Sequence, residues 1–318
     1  MKRLSVLVVA HDAAPLLGRF LGALAPEIAA LDAEVVLVDN ASRDGTADLV
    51  KLRHPWVRLV RSGTRLGWAG GVNLAANLAH GRTLALLRQD VLVERGALER
   101  GLRAVERDPL IGLASGTLLD GQGVPAIGAC PRTQAVPERF ARSGMAGAVP
   151  CSWPCRARGG AVPPDRPAPG PTQRVCGAFA FMPRDLFDAL GGLDPRFFHA
   201  YETQDFCRRL RALGLRVQHL CDVRARCMPA PQDGSAAPKP PSALWCERSA
   251  LLYRRKHGGW LAAWLDNRLQ RLGHALRGRL AAWRGQAELA RAETRQGALL
   301  AQAWCETLGG RLSPPQPW

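Results

Sequence analysis

The sequence predicts an α/β protein with a mostly parallel central sheet, helices on both faces and a C-terminal helical extension. In the first half, short apolar runs such as LSVLVVA (4–10) and EVVLVDN (34–40) alternate with amphipathic segments. Strands of a parallel sheet are covered on both faces, so they form unbroken apolar runs. From residue 242 onward, the spacing of apolar residues is typical of helices.

The elements follow one another in strand–helix order. An amphipathic segment follows the first run, and ASRDGTADLVKLRH follows the second, with Ser42 as a plausible helix cap. VRLVRS predicts a strand, LGWAGG a glycine-rich turn, and VNLAANLAHG a helix closed by Gly81. TLALLRQD (83–90) predicts another buried strand. Ligands bind at the carboxyl ends of strands in such sheets, which is where Asp39 and Asp90 fall.

The second half of the chain is less regular. Residues 121–172 are rich in proline and glycine and predict an irregular insertion or acceptor loop. Order resumes with a strand and helix in RVCGAFAFMPRDLFDALGG, a helix in DFCRRLRALG and a strand in LRVQHLCDV. We therefore predict one domain over 1–228, a linker at 229–241 and a basic helical extension at 242–318.

The charge balance indicates which partners to expect. The 318 residues include 43 basic and 27 acidic ones, a net charge of +16. This excess predicts attraction to polyanions, whether nucleic acid, an acidic membrane or phosphorylated substrates. The chain has no helix-turn-helix, RRM or zinc-finger motif, and only two tyrosines and eight phenylalanines for base stacking. We therefore expect no specific nucleic-acid partner.

The predicted extension concentrates positive charge and tryptophan. From Ser242 to Trp318 it contains 12 basic residues, five acidic residues and six of the nine tryptophans. A basic amphipathic helix carrying tryptophan suits an anionic membrane surface. The alternative is a helical pair packed on the preceding domain with its arginines toward solvent, and the two interpretations are compatible.

Cysteine usage and the N-terminus favour a cytoplasmic location. The nine cysteines have no repeating spacing, which is typical of reduced thiols. Cys151 and Cys155 lack a second pair nearby, so they give little basis for a zinc site. The first apolar run ends at His11 and Asp12 after only about seven residues, too short for a spanning helix. We expect a protein of the cytoplasm, peripheral to the inner face of the cytoplasmic membrane.

Six stretches, in this order, resemble family 2 glycosyltransferases. They are LSVLVVAHDAAPLLGRFLGAL, VVLVDNASRDGTADLV, LGWAGGVNLAANLAHG, LLRQD, CGAFAFMPRDLFDALGGLDPRFFHAYETQDFCRRLRALG and LLYRRKHGG. The resemblance covers residues 4–228 and is weaker near 251–259. It is to the branch of rhamnosyltransferases and other builders of bacterial surface polysaccharides. It implies a GT-A (Rossmann-like) fold, a nucleotide-sugar donor, inversion at the anomeric carbon and a divalent metal, Mg²⁺ or Mn²⁺.

The resemblance assigns nucleotide-sugar binding to particular residues. Asp39, at the end of the second strand, would accept hydrogen bonds from the nucleoside; alternatively it is a turn or helix-capping acid. Asn73 would offer an amide near the nucleotide, although helix–sheet packing explains the neighbouring glycines equally well. Asp44 fits the first turn of a helix, where a carboxylate meets the helix dipole.

The resemblance also places the metal-binding acid at Asp90. Departure of a nucleoside diphosphate builds negative charge, which a metal or cation must stabilise. Many relatives have Asn-Pro-Asp or paired acids here, whereas this chain has Arg88-Gln89-Asp90. Arg88 either neutralises phosphate directly or pairs with Asp90. The second ligand of the family, a histidine, corresponds to Cys227, and cysteine is a poor ligand for Mg²⁺ or Mn²⁺.

Inverting transfer also requires a carboxylate that accepts the proton of the attacking hydroxyl. Relatives carry Glu-Asp-x-Asp where this chain has Glu202-Thr203-Gln204-Asp205. Threonine cannot act as a base near neutral pH, so Glu202, one methylene longer than aspartate, is the candidate base. Asp205 is the second catalytic candidate, unless it caps or charges the helix that follows. Arg65 is a further departure, at a position where relatives commonly have asparagine.

These assignments predict transfer of a hexose or deoxyhexose, such as rhamnose, from a UDP- or dTDP-sugar to a surface-polysaccharide or lipid-linked acceptor. The alternative is a catalytically impaired homologue that acts as a binding or assembly protein in polysaccharide synthesis, because function depends on the site rather than the fold. A nucleotidyltransferase is disfavoured because AHDAAP, after the first strand, lacks a glycine-rich basic phosphate loop.

Overall fold

The computed structural model describes residues 2–127, 130–131, 170–228 and 240–313. Most of the predicted loop at 121–172, most of the predicted linker at 229–241, and Cys151 and Cys155 lie outside these residues. The described residues form two compact units. The first comprises 2–131, 170–195 and 202–228, and the second comprises 196–201 and 240–313.

The first unit is built on a single large sheet. Its strands are β1 (Leu4–Ala10), β2 (Glu34–Asp39), β3 (Arg58–Arg61), β4 (Thr83–Leu87), β5 (Val91–Val93), β6 (Ile111–Leu119), β7 (Pro125–Ile127), β8 (Cys130–Pro131), β9 (Gly170–Arg174), β10 (Phe179–Pro183) and β11 (Arg216–Cys227). The helices are α1 (Ala14–Leu31), α2 (Thr46–Arg53), α3 (Gly67–Leu78), α4 (Ala97–Arg107), α5 (Arg184–Ala189) and α6 (Glu202–Ala212). The strand order is β3-β2-β1-β4-β10-β6-β11-β9-β8, with β5 on β11 and β7 on β6.

The strands that form the clearest apolar runs in the sequence make up the parallel part of the sheet. β3, β2, β1 and β4 are parallel neighbours, and β6 pairs in parallel with β11. β10 lies antiparallel between β4 and β6. The predicted fold class, an α/β protein with a mostly parallel sheet and helices on both faces, is confirmed.

Alternation along β1 shows how the sheet is covered on both faces. Leu4, Val6 and Val8 belong to the core cluster that includes apolar residues of α1 and α4. Leu7 and Val9 belong to the second cluster, which includes residues of α3 and α6. Because successive side chains of a strand point to opposite faces, this unbroken apolar run serves two cores at once.

Helix α1 is long and apolar enough to cross a membrane, the one such helix among the described residues. Its apolar residues Leu17, Phe20, Leu21, Leu24 and Ile28 are nevertheless buried in the first core cluster. We therefore interpret α1 as a core helix of the sheet unit, since core helices satisfy the same length and hydropathy criteria.

Two local predictions are wrong. LGWAGG does not form a turn, because α3 begins at Gly67 and includes these glycines. A Cβ at Gly71 would lie 2.7 Å from Cγ1 of Val9, so close packing of α3 on β1 requires glycine there. Ser42 does not cap α2, which begins at Thr46 with Gly45 in the left-handed conformation as its N-cap. Gly45 lets the chain enter the helix without a side-chain cap.

The second unit is a helical hairpin. Its helices are α7 (Pro240–Trp283), interrupted by non-helical backbone at Gly259, and α8 (Ala287–Glu306). Asn267 of α7 donates to the carbonyl of Leu300 over 3.2 Å, and His274 lies 2.6 Å from Glu293. The predicted extension at 242–318 is therefore helical over most of its described length.

Residues 196–201 also belong to the second unit, although we predicted them within the 1–228 domain. The rings of Phe198 and Trp245 lie 5.1 Å apart, and those of Tyr201 and Tyr253 lie 5.3 Å apart. Phe197 and Tyr201 form a buried cluster with Ala250 and Leu252. The aromatic residues before Glu202 therefore contribute to the core of the second unit.

Candidate active site

Three polar turns meet where β1, β2 and β4 end. The backbone N–H of His11 donates to Oε1 of Gln89 over 3.3 Å, and its ring Nδ1 lies 2.9 Å from the carbonyl oxygen of Asn40. His11 thus connects the turn after β2 with the turn after β4. Asp12 and Ala41 have φ of 46° and 59°, a strained conformation that is common at functional sites.

Asp39 occupies the end of β2 and is 1% exposed. Its Oδ1 accepts a hydrogen bond from the backbone of Ser42 over 3.1 Å, and its Oδ2 lies 3.4 Å from Nε of Arg61. An open hollow of about 560 Å³ adjoins this pair and is lined by Ala41, Ser42, Arg43, Arg61, Ser62 and Gly63. Arginines beside a buried aspartate provide cations and an acceptor, the groups that phosphate and ribose require.

Asp44 fixes the turn between β2 and α2. Its Oδ2 accepts from the backbone of Ala14 over 2.9 Å, and its Oδ1 accepts from the backbone of Thr46 over 3.1 Å. Burial raises the pKa of Asp44, but the hydrogen bonds from Thr46 and Ala14 outweigh burial and lower it overall. Asp44 lies just before α2 rather than in its first turn. Its hydrogen bonds with Ala14 and Thr46 give it a structural role.

Arg88 and Asp90 form a bidentate ion pair in the turn after β4. Nε of Arg88 donates to Oδ1 of Asp90 over 2.9 Å, and Nη2 donates to Oδ2. Pairing with Asp90 is one of the two roles predicted for Arg88; the other, neutralising phosphate, stays a prediction. Asp90 lies beyond the last residue of β4, Leu87, and its carbonyl accepts from the backbone of Met228 over 2.7 Å.

The residues around Asp90 do not fit a divalent-metal site as they are arranged. Both carboxylate oxygens of Asp90 are bound to a guanidinium, which a cation would have to displace. Cys227 lies opposite Val91 in the β5–β11 pairing and supplies sulfur rather than the oxygen or imidazole that Mg²⁺ and Mn²⁺ prefer. Within the described ranges, no three His, Cys, Asp or Glu residues cluster closely enough to hold a metal. The prediction that Asp90 binds metal remains untested.

Glu202 begins α6 in an environment suited to a proton acceptor. Its Oε2 is shielded from solvent and has no hydrogen-bond partner among the described residues. Burial raises the pKa of Glu202 to about 7, although its backbone hydrogen bond and the charge of Arg88 oppose the shift. A carboxyl group with a pKa near 7 is half ionised at neutral pH, the condition in which a general base works best.

Thr203 occupies a confined position beside this carboxyl group. Its Oγ1 is buried and unpaired within the part of the chain that the structure describes. A Cβ added at Gly177, in the loop before β10, would lie 2.1 Å from this oxygen. The backbone at Gly177 therefore closes the space around Thr203. Of the two neighbouring residues Glu202 and Thr203, Glu202 is the one with an ionisable side chain.

Asp205, the second catalytic candidate, has a structural environment. It is 0% exposed, and its Oδ2 accepts from Nε of Arg209 over 2.8 Å. Arg209 also donates to the carbonyls of Leu190 and Gly192 over 2.8 and 2.7 Å, which ties α6 to the end of α5. The burial and ion pairing of this carboxylate favour the structural alternative, and the catalytic role of Asp205 stays a prediction.

Asn73 is likewise engaged in structure. Its Nδ2 donates to the carbonyl of Leu193 over 2.7 Å, and its Oδ1 accepts from the backbone N–H of Leu193 over 2.9 Å. This reciprocal pair holds α3 against the loop after α5. Because both ends of the amide are in use, the structure favours a packing role over the predicted contact with the nucleotide.

Sequence reasoning did not identify Arg43, Arg61 or His11 as site residues. Their positions in the sequence gave a weak signal. Arg61 lies at the end of a predicted strand, and His11 and Arg43 lie in the turns that follow two others. Arg65, noted as a departure, is partly buried, which lowers the pKa of its guanidinium, while the charge of Asp12 opposes the shift. The group of basic residues at this edge is larger than the motifs indicated.

Comparisons with known proteins agree with this fold. Residues 5–191 match the sequence profile of Glycosyl transferase family 2. The chain is 28% identical over 232 residues to the N-acetylglucosaminyl-diphospho-decaprenol L-rhamnosyltransferase of Mycobacterium tuberculosis (strain ATCC 25618 / H37Rv), covering 66% of this chain and 71% of the relative.

Two solved structures share the fold at low sequence identity. The mannosyltransferase PcManGT from Pyrobaculum calidifontis, in complex with GDP-Man and Mn²⁺, superposes with a TM-score of 0.58 and 20% identity, covering 96% of this chain and 87% of that one. S. aureus TarS 1-349 in complex with UDP has a TM-score of 0.51 and 14% identity, covering 97% and 92%.

The fold is of the GT-A type. The chain belongs to glycosyl transferase family 2 and is rhamnosyltransferase-like.

Proposed function

We propose that this glycosyltransferase moves a hexose or deoxyhexose, such as rhamnose, from a UDP- or dTDP-sugar to a lipid-linked or growing surface-polysaccharide acceptor, with inversion. The observation that carries the proposal is the shielded, unpaired Oε2 of Glu202 near the Arg88–Asp90 pair. The rhamnosyltransferase relative supports a deoxyhexose donor and a lipid-linked acceptor.

Each residue has a definite task in this reaction. Oε2 of Glu202 accepts the proton of the acceptor hydroxyl as that oxygen bonds to the anomeric carbon. The bond between the anomeric carbon and the diphosphate oxygen breaks in the same step, and its electron pair leaves with the nucleoside diphosphate. Positive charge from Arg88 stabilises the diphosphate. Arg43 and Arg61, in the hollow beside Asp39, suit the nucleotide end of the donor.

The proposed location is the cytoplasm, peripheral to the inner face of the cytoplasmic membrane. A lipid-linked acceptor would bring the reacting hydroxyl to a membrane surface, while nucleotide sugars are soluble. The excess of basic residues over the whole chain favours such an anionic surface.

A second candidate is a homologue that binds nucleotide sugar without efficient turnover. Thr203 in place of a carboxylate, and Asp90 paired to Arg88, favour this alternative. Such a protein would act in the assembly of polysaccharide-synthesising enzymes.

The test measures binding and turnover on the same preparation. Purified protein is mixed with UDP-, dTDP- and GDP-sugars, and thermal stability and donor hydrolysis are followed. Stabilisation by a UDP- or dTDP-sugar with measurable hydrolysis supports transfer. Stabilisation without hydrolysis, even with a lipid-linked acceptor, selects the assembly role, and no stabilisation by any nucleotide contradicts both.

A further inference from the structure

The second half of α7 presents a continuous row of large apolar side chains to solvent. Seven residues between 260 and 284 are 43–83% exposed: Leu261, Leu265, Leu269, Leu272, Leu276, Leu280 and Trp283. They recur every three or four residues, which places them on one face of the helix. We call these seven residues the leucine face.

The leucine face is not the face that α7 uses for packing within its own unit. Ala263, Asn267 and Ala281 are buried, and Asn267 bonds to Leu300 of α8. At 100° per residue, these positions lie on the side of α7 opposite the leucine face. α7 therefore has two apolar sides, one packed on α8 and one exposed.

The exposed charges beside the leucine face on α7 are positive, because Asp266, the one acid between 260 and 284, is buried and paired with Arg254. From residue 267 to residue 287 the chain has no aspartate or glutamate and five arginines. These are Arg268, Arg271, Arg277, Arg279 and Arg284. Arg277 binds Glu293 of α8, and Arg268 stacks on Trp264 with its guanidinium 5.7 Å from the ring centroid. Arginines at the edges of an apolar stripe can lay their stems along it and extend their charged heads outward.

This charge pattern distinguishes between two occupants of the leucine face. A second copy of the chain, docked leucine face to leucine face, would bring two rows of arginine together, and like charges would oppose the pairing. The one acid of this α7 segment, Asp266, is buried and already paired with Arg254. An anionic bilayer offers the opposite charge around an apolar interior. Trp260 and Trp283, both more than half exposed, suit the boundary between head groups and acyl chains.

We propose that the leucine face of α7 binds the surface of an anionic bilayer, with the helix lying in the plane of the membrane. The site does not depend on the proposed transfer reaction, because it rests on the second unit alone. Apolar area and arginine charge contribute together, so binding requires acidic lipid and weakens as salt increases.

The test is flotation of the full-length protein with two kinds of vesicle, phosphatidylcholine alone and phosphatidylcholine with about one third phosphatidylglycerol. The variant is Leu269→Gln/Leu276→Gln; both residues are exposed, so the fold should survive, which circular dichroism checks. The matched control is Leu52→Gln/Leu213→Gln, two leucines of the sheet unit that are 82% and 60% exposed. Nucleotide binding of each variant is measured in parallel.

We expect wild type and control to float with acidic vesicles only, and the Leu269/Leu276 variant to lose about tenfold or more in vesicle affinity. Equal flotation of that variant and the control would overturn the proposal, as would no flotation of wild type. A wild-type dimer that the same variant converts to monomers, without vesicle binding, would assign the face to a second copy instead.

Discussion

The sheet edge of the first unit and helix α7 of the second depart from ordinary burial in opposite directions. At the sheet edge the carboxyl group of Asp39 is buried, whereas along α7 leucines are exposed. Proteins usually bury leucine and expose carboxylates, so buried polar groups and exposed apolar rows are the informative exceptions. The contrast teaches that each unit has its own candidate surface: the first unit has a polar sheet edge, and the second has an exposed apolar helix face.

The largest expected effect is the loss of turnover on changing the polar candidate site of the first unit. Glu202→Gln removes the proton acceptor but keeps the shape of the side chain, so kcat should fall by about 10²- to 10⁴-fold. Binding of the nucleoside diphosphate should be unchanged, because the acceptor hydroxyl is the partner of Glu202. Steady-state kinetics with calorimetric nucleotide binding test both parts, and wild-type turnover would remove Glu202 from the mechanism.

The next prediction tests the structural role of Asp205. Asp205→Asn removes the buried partner of Arg209 and should reduce the free energy of unfolding by about 3 kcal/mol or more. The control is Asp188→Asn. Asp188 pairs with Arg184 at the same four-residue spacing, but its side chain is 51% exposed. The control should lose less than about 1 kcal/mol. Urea denaturation compares them, and equal losses would contradict the role of burial.

The pH dependence of stability sharpens the assignment of Glu202. Its pKa rises from the ordinary value near 4.5 to about 7 on folding, so its contribution is favourable below pH 4.5 and is lost as pH rises through 7. Glu202→Gln should therefore become more stable than wild type above pH 7, by roughly 3 kcal/mol, with little difference near pH 4. Denaturant midpoints across this range measure the effect. An unchanged difference between the two proteins at all pH values would exclude the raised pKa.

The smallest expected effect concerns the ion pair after β4. Since Asp90 is bound to Arg88, adding Mn²⁺ or EDTA should change the Kd for nucleoside diphosphate by less than about twofold. Arg88→Gln should weaken nucleotide binding and leave the Asp90 carboxylate available to a cation. Calorimetry with each protein, with and without Mn²⁺, makes the comparison. Strong Mn²⁺ dependence in wild type would show that a metal displaces Arg88.

Local sequence patterns were sufficient for the buried parallel strands β1, β2 and β4, but they missed β5 to β8 and could not give the partners of polar residues. LSVLVVA and EVVLVDN predicted β1 and β2 because burial on both faces leaves an unbroken apolar run. The roles of Asn73 and Asp205 depend on Leu193 and Arg209, and nothing in residues 73 or 205 alone indicates the contact. Glu202 was identified by its place in a motif, but its raised pKa follows from tertiary burial.

The leucine face gives a similar lesson. The sequence predicted a basic helical tail with two compatible arrangements, and the structure contains the helical pair. The exposed side of α7 carries leucine rather than arginine alone, which depends on the side of α7 that α8 covers. The spacing of apolar residues alone cannot show which of the two apolar sides of α7 packs on α8.

The backbone immediately before Glu202 has a consequence for how this position can evolve. Ala200 and Tyr201 have φ of 67° and 70°, a left-handed conformation that is rare for a residue as large as tyrosine. Each such residue reduces stability by about 1–3 kcal/mol, so the neighbouring aromatic contacts must compensate. Mutations that loosen Tyr201 would let the chain relax toward ordinary geometry and turn the first residue of α6 away from its present direction. Drift in an aromatic core could thus silence the enzyme while every charged side chain remained in the sequence.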